Sequence, residues 1–254
     1  MLNDMKEGAT PGESLRALRG IFRGEVKLWE NARFVLVDVP LDRREARKIL
    51  PLGLRPTEPP VGTLFVVDYT KTAFTVPYHE AALLVRVRAP LGRGVHCCWM
   101  VVNDDTALIY GRELLGYPKK WADIEYEESG DRVKASVTRR GTEVLRIEAS
   151  RGPAETNPAP VFNRKTYNVG GMGQFMAINP IWMFKPTEAI HESYTATASV
   201  TLRDSVYDPI ARLVSGEPLA ARMVVMDIPG ASYMLPVGLA GIFWHANTFN
   251  MRYR

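Results

Sequence analysis

Residues 123 to 149 constrain the fold of this chain more than any other stretch. Asp123 to Glu127 and Arg132 to Thr138 are strand-like runs joined across Glu128-Ser129-Gly130-Asp131. Arg139-Arg140-Gly141 then turns the chain into Glu143 to Ala149. Runs this short, bounded by turn residues, pair with their sequence neighbours and build an antiparallel meander. The pattern recurs upstream. Ala32 to Val39 ends at Pro40, Gly62 to Tyr69 follows, Glu80 to Arg88 alternates over its later half, and Leu91-Gly92-Arg93-Gly94 turns into Val95 to Val102. Downstream, Tyr194 to Leu202 alternates clearly and Arg222 to Ile228 is a further strand. Consecutive hairpins predict a mostly β fold whose antiparallel sheet is closed or strongly curled.

Helices are few. Ser14 caps a short basic helix, SLRALRGIFR, which Gly20 weakens; Asp42 caps a second helix through Leu50, stopped by Pro51. Pro209 to Val214 forms a third, short one. Asn103-Asp104-Asp105 is a turn, and Thr106 to Tyr110 leads on from it. Residues 150–160 are a Pro-rich loop. Phe162 to Lys185 has little periodicity, and its Val169-Gly170-Gly171-Met172-Gly173-Gln174 lacks the strand-loop-helix context of a nucleotide loop. We read it as an irregular loop near a site or at an interface. The apolar, aromatic tail from Ser232 is expected to pack rather than fray. No repeat, low-complexity tract or linker divides the chain, so residues 1–254 are expected to form a single domain.

Charge excludes some functions. The net charge is +4, from 32 basic and 28 acidic residues, concentrated nowhere but an Arg-Lys cluster at 43–48. Neither a nucleic-acid nor a membrane partner is indicated. Leu235 to Trp244 is too short to span a bilayer. Cys97 and Cys98 are adjacent in a strand, where side chains point to opposite faces, so a disulfide is not favoured and core packing is expected. With no signal peptide recognised, this reads as a cytoplasmic protein. His79, His96, His191 and His245 are scattered without zinc-ligand spacing, and neither a metal nor a cofactor is expected.

The chemistry-bearing stretch is GRELLGYPKKW, Gly111 to Trp121. Most Lys-Lys pairs are solvated surface. Here Pro118 stiffens the turn before Lys119 and Lys120, while Leu114, Leu115, Tyr117 and Trp121 supply apolar surface on both sides. Burial and a like-charged neighbour both lower a lysine pKa from its ordinary ~10.4. A lysine brought to ~7–8 is a nucleophile for carbonyl groups.

GRELLGYPKK resembles the active-site segment of acetoacetate decarboxylases, in which Gly-Arg-Glu-Leu leads through a short apolar or aromatic stretch to Pro-Lys-Lys. The chain is identified as a member of the acetoacetate decarboxylase-like superfamily. The mechanism comes with the resemblance: the first lysine, here Lys119, forms an imine, and the second, Lys120, lowers its pKa. A Tyr-x-Glu of the family matches Tyr78 and Glu80, which alternate onto one strand face. Glu80 would move protons on the enamine and Tyr78 would hydrogen-bond the substrate or Glu80. Met100 and Tyr117 match apolar wall positions, as does Tyr207 less closely. Arg112 and Glu113 belong to the motif as catalytic groups or as an ion pair or helix-end contact holding the turn. The resemblance implies a curled antiparallel β-barrel with a few helices, assembled into a homo-oligomer.

Two departures shape the expected reaction. Decarboxylases carry an arginine where this chain has Ala32, and a second glutamate where it has Phe65. Arg33 is one residue away, which on a strand means the other face. The reading is therefore an aldolase-dehydratase type of Schiff-base lyase, joining pyruvate or a similar 2-keto acid to an aldehyde with loss of water, or the reverse. The alternatives are a plain acetoacetate decarboxylase and a non-catalytic barrel that binds a small anion.

Overall fold

A computed structural model of the chain describes residues 12, 27–162, 165–170 and 179–254, without the side chains of 232 and 233. The helix expected from Ser14 lies outside the described residues. The chain runs through β1 (Trp29–Pro40), α1 (Arg43–Ile49), β2 (Arg55–Pro56), β3 (Val61–Tyr69), β4 (Lys71–Thr72), β5 (Tyr78–Ala89) and β6 (Gly92–Val102). It continues through α2 (Asp105–Leu115), β7 (Lys119–Trp121), β8 (Asp123–Ser129), β9 (Arg132–Arg139) and β10 (Thr142–Ala154). The last part holds β11 (Thr166–Val169), β12 (Asn179–Leu202), a 3-10 turn at Ala211–Leu213, β13 (Ala220–Ala240) and α3 (Ile242–Tyr253). No helix among the described residues is long and apolar enough to cross a membrane.

The strands form one curled sheet in the order β11-β6-β5-β3-β1-β13-β12-β10-β9-β8. β11 also pairs with β12, so the order turns back on itself. The link that completes the turn is a single parallel bridge, Thr166 to Val95, and β10, β9 and β8 continue past it. The sheet is mostly antiparallel, as the hairpins imply, but β6 pairs in parallel with both β7 and β11. It is a curled mixed sheet rather than a clean antiparallel barrel.

Alternation along the strands builds two cores. Ala32, Phe34 and Leu36 of β1 face inward with Phe65, Val67, Ala82, Leu84 and Met100. Val35, Val37 and Val39 face outward, where Ile124, Val133 and Ile147 of β8 to β10 fold back over them. Burying each of these large apolar side chains stabilises the fold by roughly 1.5–3 kcal/mol. Cys97 joins the inner core and Cys98 the outer one, both as free thiols.

Several stretches differ from the sequence reading: residues 150–154, read as the start of a loop, extend β10 to Ala154, and 166–169, read as irregular, form β11. Residues 105–115 are a helix: Asp104 accepts from the Ala107 amide at 2.7 Å, and Gly116 closes the other end in the left-handed conformation at φ 68°. β12 starts at Asn179 and β13 runs on to Ala240, pairing through Pro180, Pro186 and Pro236. These prolines break the sequence pattern of a strand; register irregularities next to them absorb the missing donors. The tail from Ile242 is a helix that buries Trp244 and Met251.

Candidate active site

Strand register assembles the site. Lys119 of β7 lies opposite Met100 of β6, which lies opposite Ala82 of β5. Glu80 is two residues from Ala82 and therefore on the same face, as is Tyr78. Lys119 Nζ lies 2.7 Å from Glu80 Oε2, and both side chains are 5% exposed. The contact is a close ion pair off the hydrogen-bond direction, since Oε2 has no aligned donor. Lys119 Nζ also sits 5.7 Å from the centre of the Tyr78 ring. The Tyr78 hydroxyl accepts from the Trp29 indole N–H at 3.0 Å, and among the described residues no hydrogen bond joins it to Glu80. Burial, followed by the nearby Glu80 charge, pushes the Tyr78 phenol well up, so it keeps its proton.

The Lys119 amine opens into a cavity of about 430 Å³. Met100 and Tyr117 line it, and so do Phe162 and, from β12, Phe184. Tyr207 does not line it. Its ring lies under the Arg140 guanidinium at 4.3 Å, on the far side of β7, and its carbonyl serves Lys120. The wall also takes Trp29, Ile228, Ala231 and Met234 from β1 and β13, which carry no motif. Only the curl of the sheet brings these distant segments together.

Helix α2 forms a further wall through Ala107, Gly111, Leu114 and Leu115. Gly111 rests directly on the catalytic candidate. A Cβ there would lie 2.4 Å from Lys119 Cε, so any side chain would displace the lysine. Arg112 holds the turn from the other side, donating to the Lys119 carbonyl at 2.8 Å and to the Arg252 carbonyl of α3 at 3.0 Å. Its role is the helix-end contact, and Glu113 is exposed.

Lys120 points through the other face of β7. Its ammonium donates to Asp208 at 2.5 Å, to the Tyr207 carbonyl at 2.9 Å and to the Asn250 carbonyl at 3.2 Å. Three acceptors meet three N–H groups. Asp208 is wholly buried and also accepts from the Trp99 indole at 2.8 Å, with Arg139 Nε at 3.3 Å. Burial, partly offset by Asp208, pulls the Lys120 pKa down to about 8. The two lysines are neighbours in sequence but not in the cavity.

The two departures noted in the sequence are structural. Ala32 and Phe65 are both fully buried in the inner core. The irregularity in β1 falls between Trp29 and Ala32, where Asn31 takes φ 52°; from Arg33 onward the register is regular. Arg33 thus points outward, 3.0 Å from Glu128 of β8. Among the described residues, Lys119 and Glu80 are the only charged groups lining the cavity.

Residues 19–234 match the acetoacetate decarboxylase (ADC) family. The chain belongs to that family. Decarboxylase DEC1 of Cochliobolus heterostrophus is 32% identical over 88 residues, a stretch that spans 34% of this chain and 34% of that protein. The solved acetoacetate decarboxylase of Legionella pneumophila superposes with a TM-score of 0.72 at 16% identity, covering 85% of this chain and 86% of the other. The enduracididine biosynthesis enzyme MppR, solved with pyruvate, gives 0.67 at 14% identity over 82% and 89%. MppR has also been solved with the condensation product of pyruvate and imidazole 4-carboxaldehyde. At these identities the structural likeness shows a shared fold.

Proposed function

We propose that the chain is a Schiff-base lyase whose nucleophile is Lys119. The observation that carries the reading is a buried lysine amine, 2.7 Å from one carboxylate, opening into an apolar cavity. The Lys119 ammonium passes a proton to Glu80, the freed amine adds to a substrate carbonyl, and Glu80 returns the proton as the carbonyl oxygen leaves as water, giving a protonated imine. That cation draws in the electrons of a C–H or C–carboxylate bond on the neighbouring carbon, which breaks to release a proton or carbon dioxide, and an enamine forms. Glu80 is within reach to take the proton as the enamine forms and to return it. Tyr78 offers its ring face to the Lys119 nitrogen at 5.7 Å. Lys120 holds β7 to Asp208.

For the reaction that follows, we favour condensation. The enamine of pyruvate or a similar 2-keto acid attacks an aldehyde, and the new alkoxide takes the proton that Glu80 holds. Glu80 then removes a second proton from the attacking carbon, which re-forms the enamine, and returns it as the hydroxyl leaves as water. Hydrolysis then frees an unsaturated keto acid and Lys119. Ala32 and Phe65 in place of the family's polar pair support this, as does the occurrence of such a product on MppR. Decarboxylation of a β-keto acid is the second reading. It is supported by the likeness to Decarboxylase DEC1 and by walls that, among the described residues, offer a leaving carboxylate no second cation. An anion-binding barrel is disfavoured because Glu80 already pairs the one cation among the described lining residues.

The test has two channels. Carbon dioxide release from acetoacetate is measured beside the absorbance of conjugated product from pyruvate and an aromatic aldehyde. Condensation predicts absorbance with little carbon dioxide; fast carbon dioxide release without absorbance restores the decarboxylase. If sodium borohydride leaves the intact mass unchanged across a panel of carbonyl substrates, the lyase reading itself fails.

A further inference from the structure

We infer that the carbonyl compound taken by this cavity is an amphiphile: a ketone, aldehyde or keto acid whose carbonyl sits at Lys119 and whose remainder is an alkyl or aryl group on the order of ten non-hydrogen atoms. The inference rests on the Schiff-base reading of Lys119 and adds the substrate class. It stands on three features of the cavity.

The first is size. One water occupies about 30 Å³ of liquid. The cavity of about 430 Å³ thus has room for roughly 14 atoms of that size, more than twice a three-carbon keto acid. The second is the distribution of polarity. Lys119 and Glu80 sit at the buried end, while Tyr110 and Leu114 at the α2 edge are each 41% exposed. Between them the wall is Trp29, Phe74, Phe162, Phe184, Ile228 and Met234. A small, hydrated substrate would leave water standing against these side chains, and an apolar group displaces that water favourably.

The third feature is charge. Once the imine forms, its single positive charge already faces Glu80. A free carboxylate on a small 2-keto acid would be a second anion on that cation, with no other charged partner among the described lining residues. Burying an unpaired carboxylate is costly. A large apolar group compensates by the burial of its own surface, and a substrate neutral at the carbonyl end avoids the cost. In the condensation reading the amphiphile is the unsaturated keto acid product, whose keto carbonyl is released from Lys119 and whose apolar group came with the aldehyde; in the decarboxylation reading it is the β-keto acid.

The test is a series of straight-chain methyl ketones, from acetone to 2-undecanone, competing with the neutral dye N-phenyl-1-naphthylamine for the full chain. Each sample is also reduced with borohydride and weighed. Affinity is expected to rise about three- to fourfold per methylene, the equivalent of ~0.8 kcal/mol, and to level off near ten carbons. Leu114→Arg, at an exposed wall position, is expected to weaken 2-undecanone roughly tenfold and to flatten the upper part of the series. A rising series with no labelling of Lys119 by any ketone would keep the substrate class and overturn the Schiff base. Labelling that is as efficient with acetone as with 2-undecanone, with affinity independent of chain length, would overturn the substrate class alone. So would a protein on which the dye shows no enhanced fluorescence.

Discussion

The two faces of β7 put adjacent lysines to different uses. Lys119 and Lys120 are buried to nearly the same degree, 4% and 6% exposed. Lys120 meets three acceptors and a carboxylate already braced by Trp99 and Arg139, so all its N–H groups are occupied. Lys119 meets one carboxylate at an unaligned angle and an open cavity. Burial alone therefore does not single out a nucleophile. What distinguishes Lys119 is unoccupied space at its nitrogen, beside a group that moves protons.

The comparison yields a graded set of expectations. Glu80→Gln retains the shape of the inner face and removes its proton carrier. Turnover is expected to fall on the order of 10²–10⁴-fold while borohydride labelling persists. Turnover near that of the natural chain would remove Glu80 from the chemistry.

On the outer face, Lys120→Met leaves Asp208 with Trp99 and Arg139 but without its closest cation. Breaking a buried pair this way costs about 3–5 kcal/mol, and the remaining partners put the expectation near ~3 kcal/mol by urea denaturation. The pH profile of labelling in the folded fraction should not move. A shift of a pH unit or more would mean that the two faces are electrostatically coupled, as the resemblance by itself implies.

Gly111→Ala presses a methyl group onto Lys119 Cε. A misplacement of about 1 Å costs on the order of 10²-fold in turnover. Helix propensity favours alanine by ~1 kcal/mol, so activity should fall without a matching loss of helix stability. Equal activity would show that the lysine has room the geometry denies it.

The last expectation concerns the pH dependence of stability. The Lys120 pKa is pulled from 10.5 to about 8 in the folded chain. Between those values the unfolded chain binds more protons, so stability contributed through this group rises with pH from about 8 towards 10.5. Thermal melts across that window should show the rise in the natural chain and lose it in Lys120→Met.

The same contrast explains what could be read from sequence. The choice of Lys119, Tyr78 and Glu80 comes from the family resemblance; what is local is the stiff Pro-Lys-Lys turn and the alternation that puts Tyr78 and Glu80 on one strand face. Asp42 was legible as a cap for the same reason; its carboxylate accepts from the Glu45 amide at 2.8 Å. Helix α2 was legible in principle through Asp104, Gly116 and the four-residue spacing of Ala107 and Gly111, signals masked by the neighbouring turn residues. β12 and β13 were legible only over Tyr194 to Leu202 and Arg222 to Ile228; their proline-bearing remainders were not, because the prolines sit next to register irregularities that only cross-strand pairing reveals. Tyr207 followed family spacing across a loop whose path is set by the Asp208 network rather than by the cavity. The Lys120 partnership with Asp208 spans 88 positions and leaves no local trace.

The central claim is that Lys119, and not its neighbour, carries the covalent chemistry. The direct test is borohydride reduction with saturating carbonyl substrate, followed by peptide mapping of the 111–121 segment, with Lys119→Ala as control. The account predicts a single reduced adduct on Lys119, none on Lys120, and none anywhere in Lys119→Ala. An adduct on Lys120, or labelling that survives in Lys119→Ala, would contradict it.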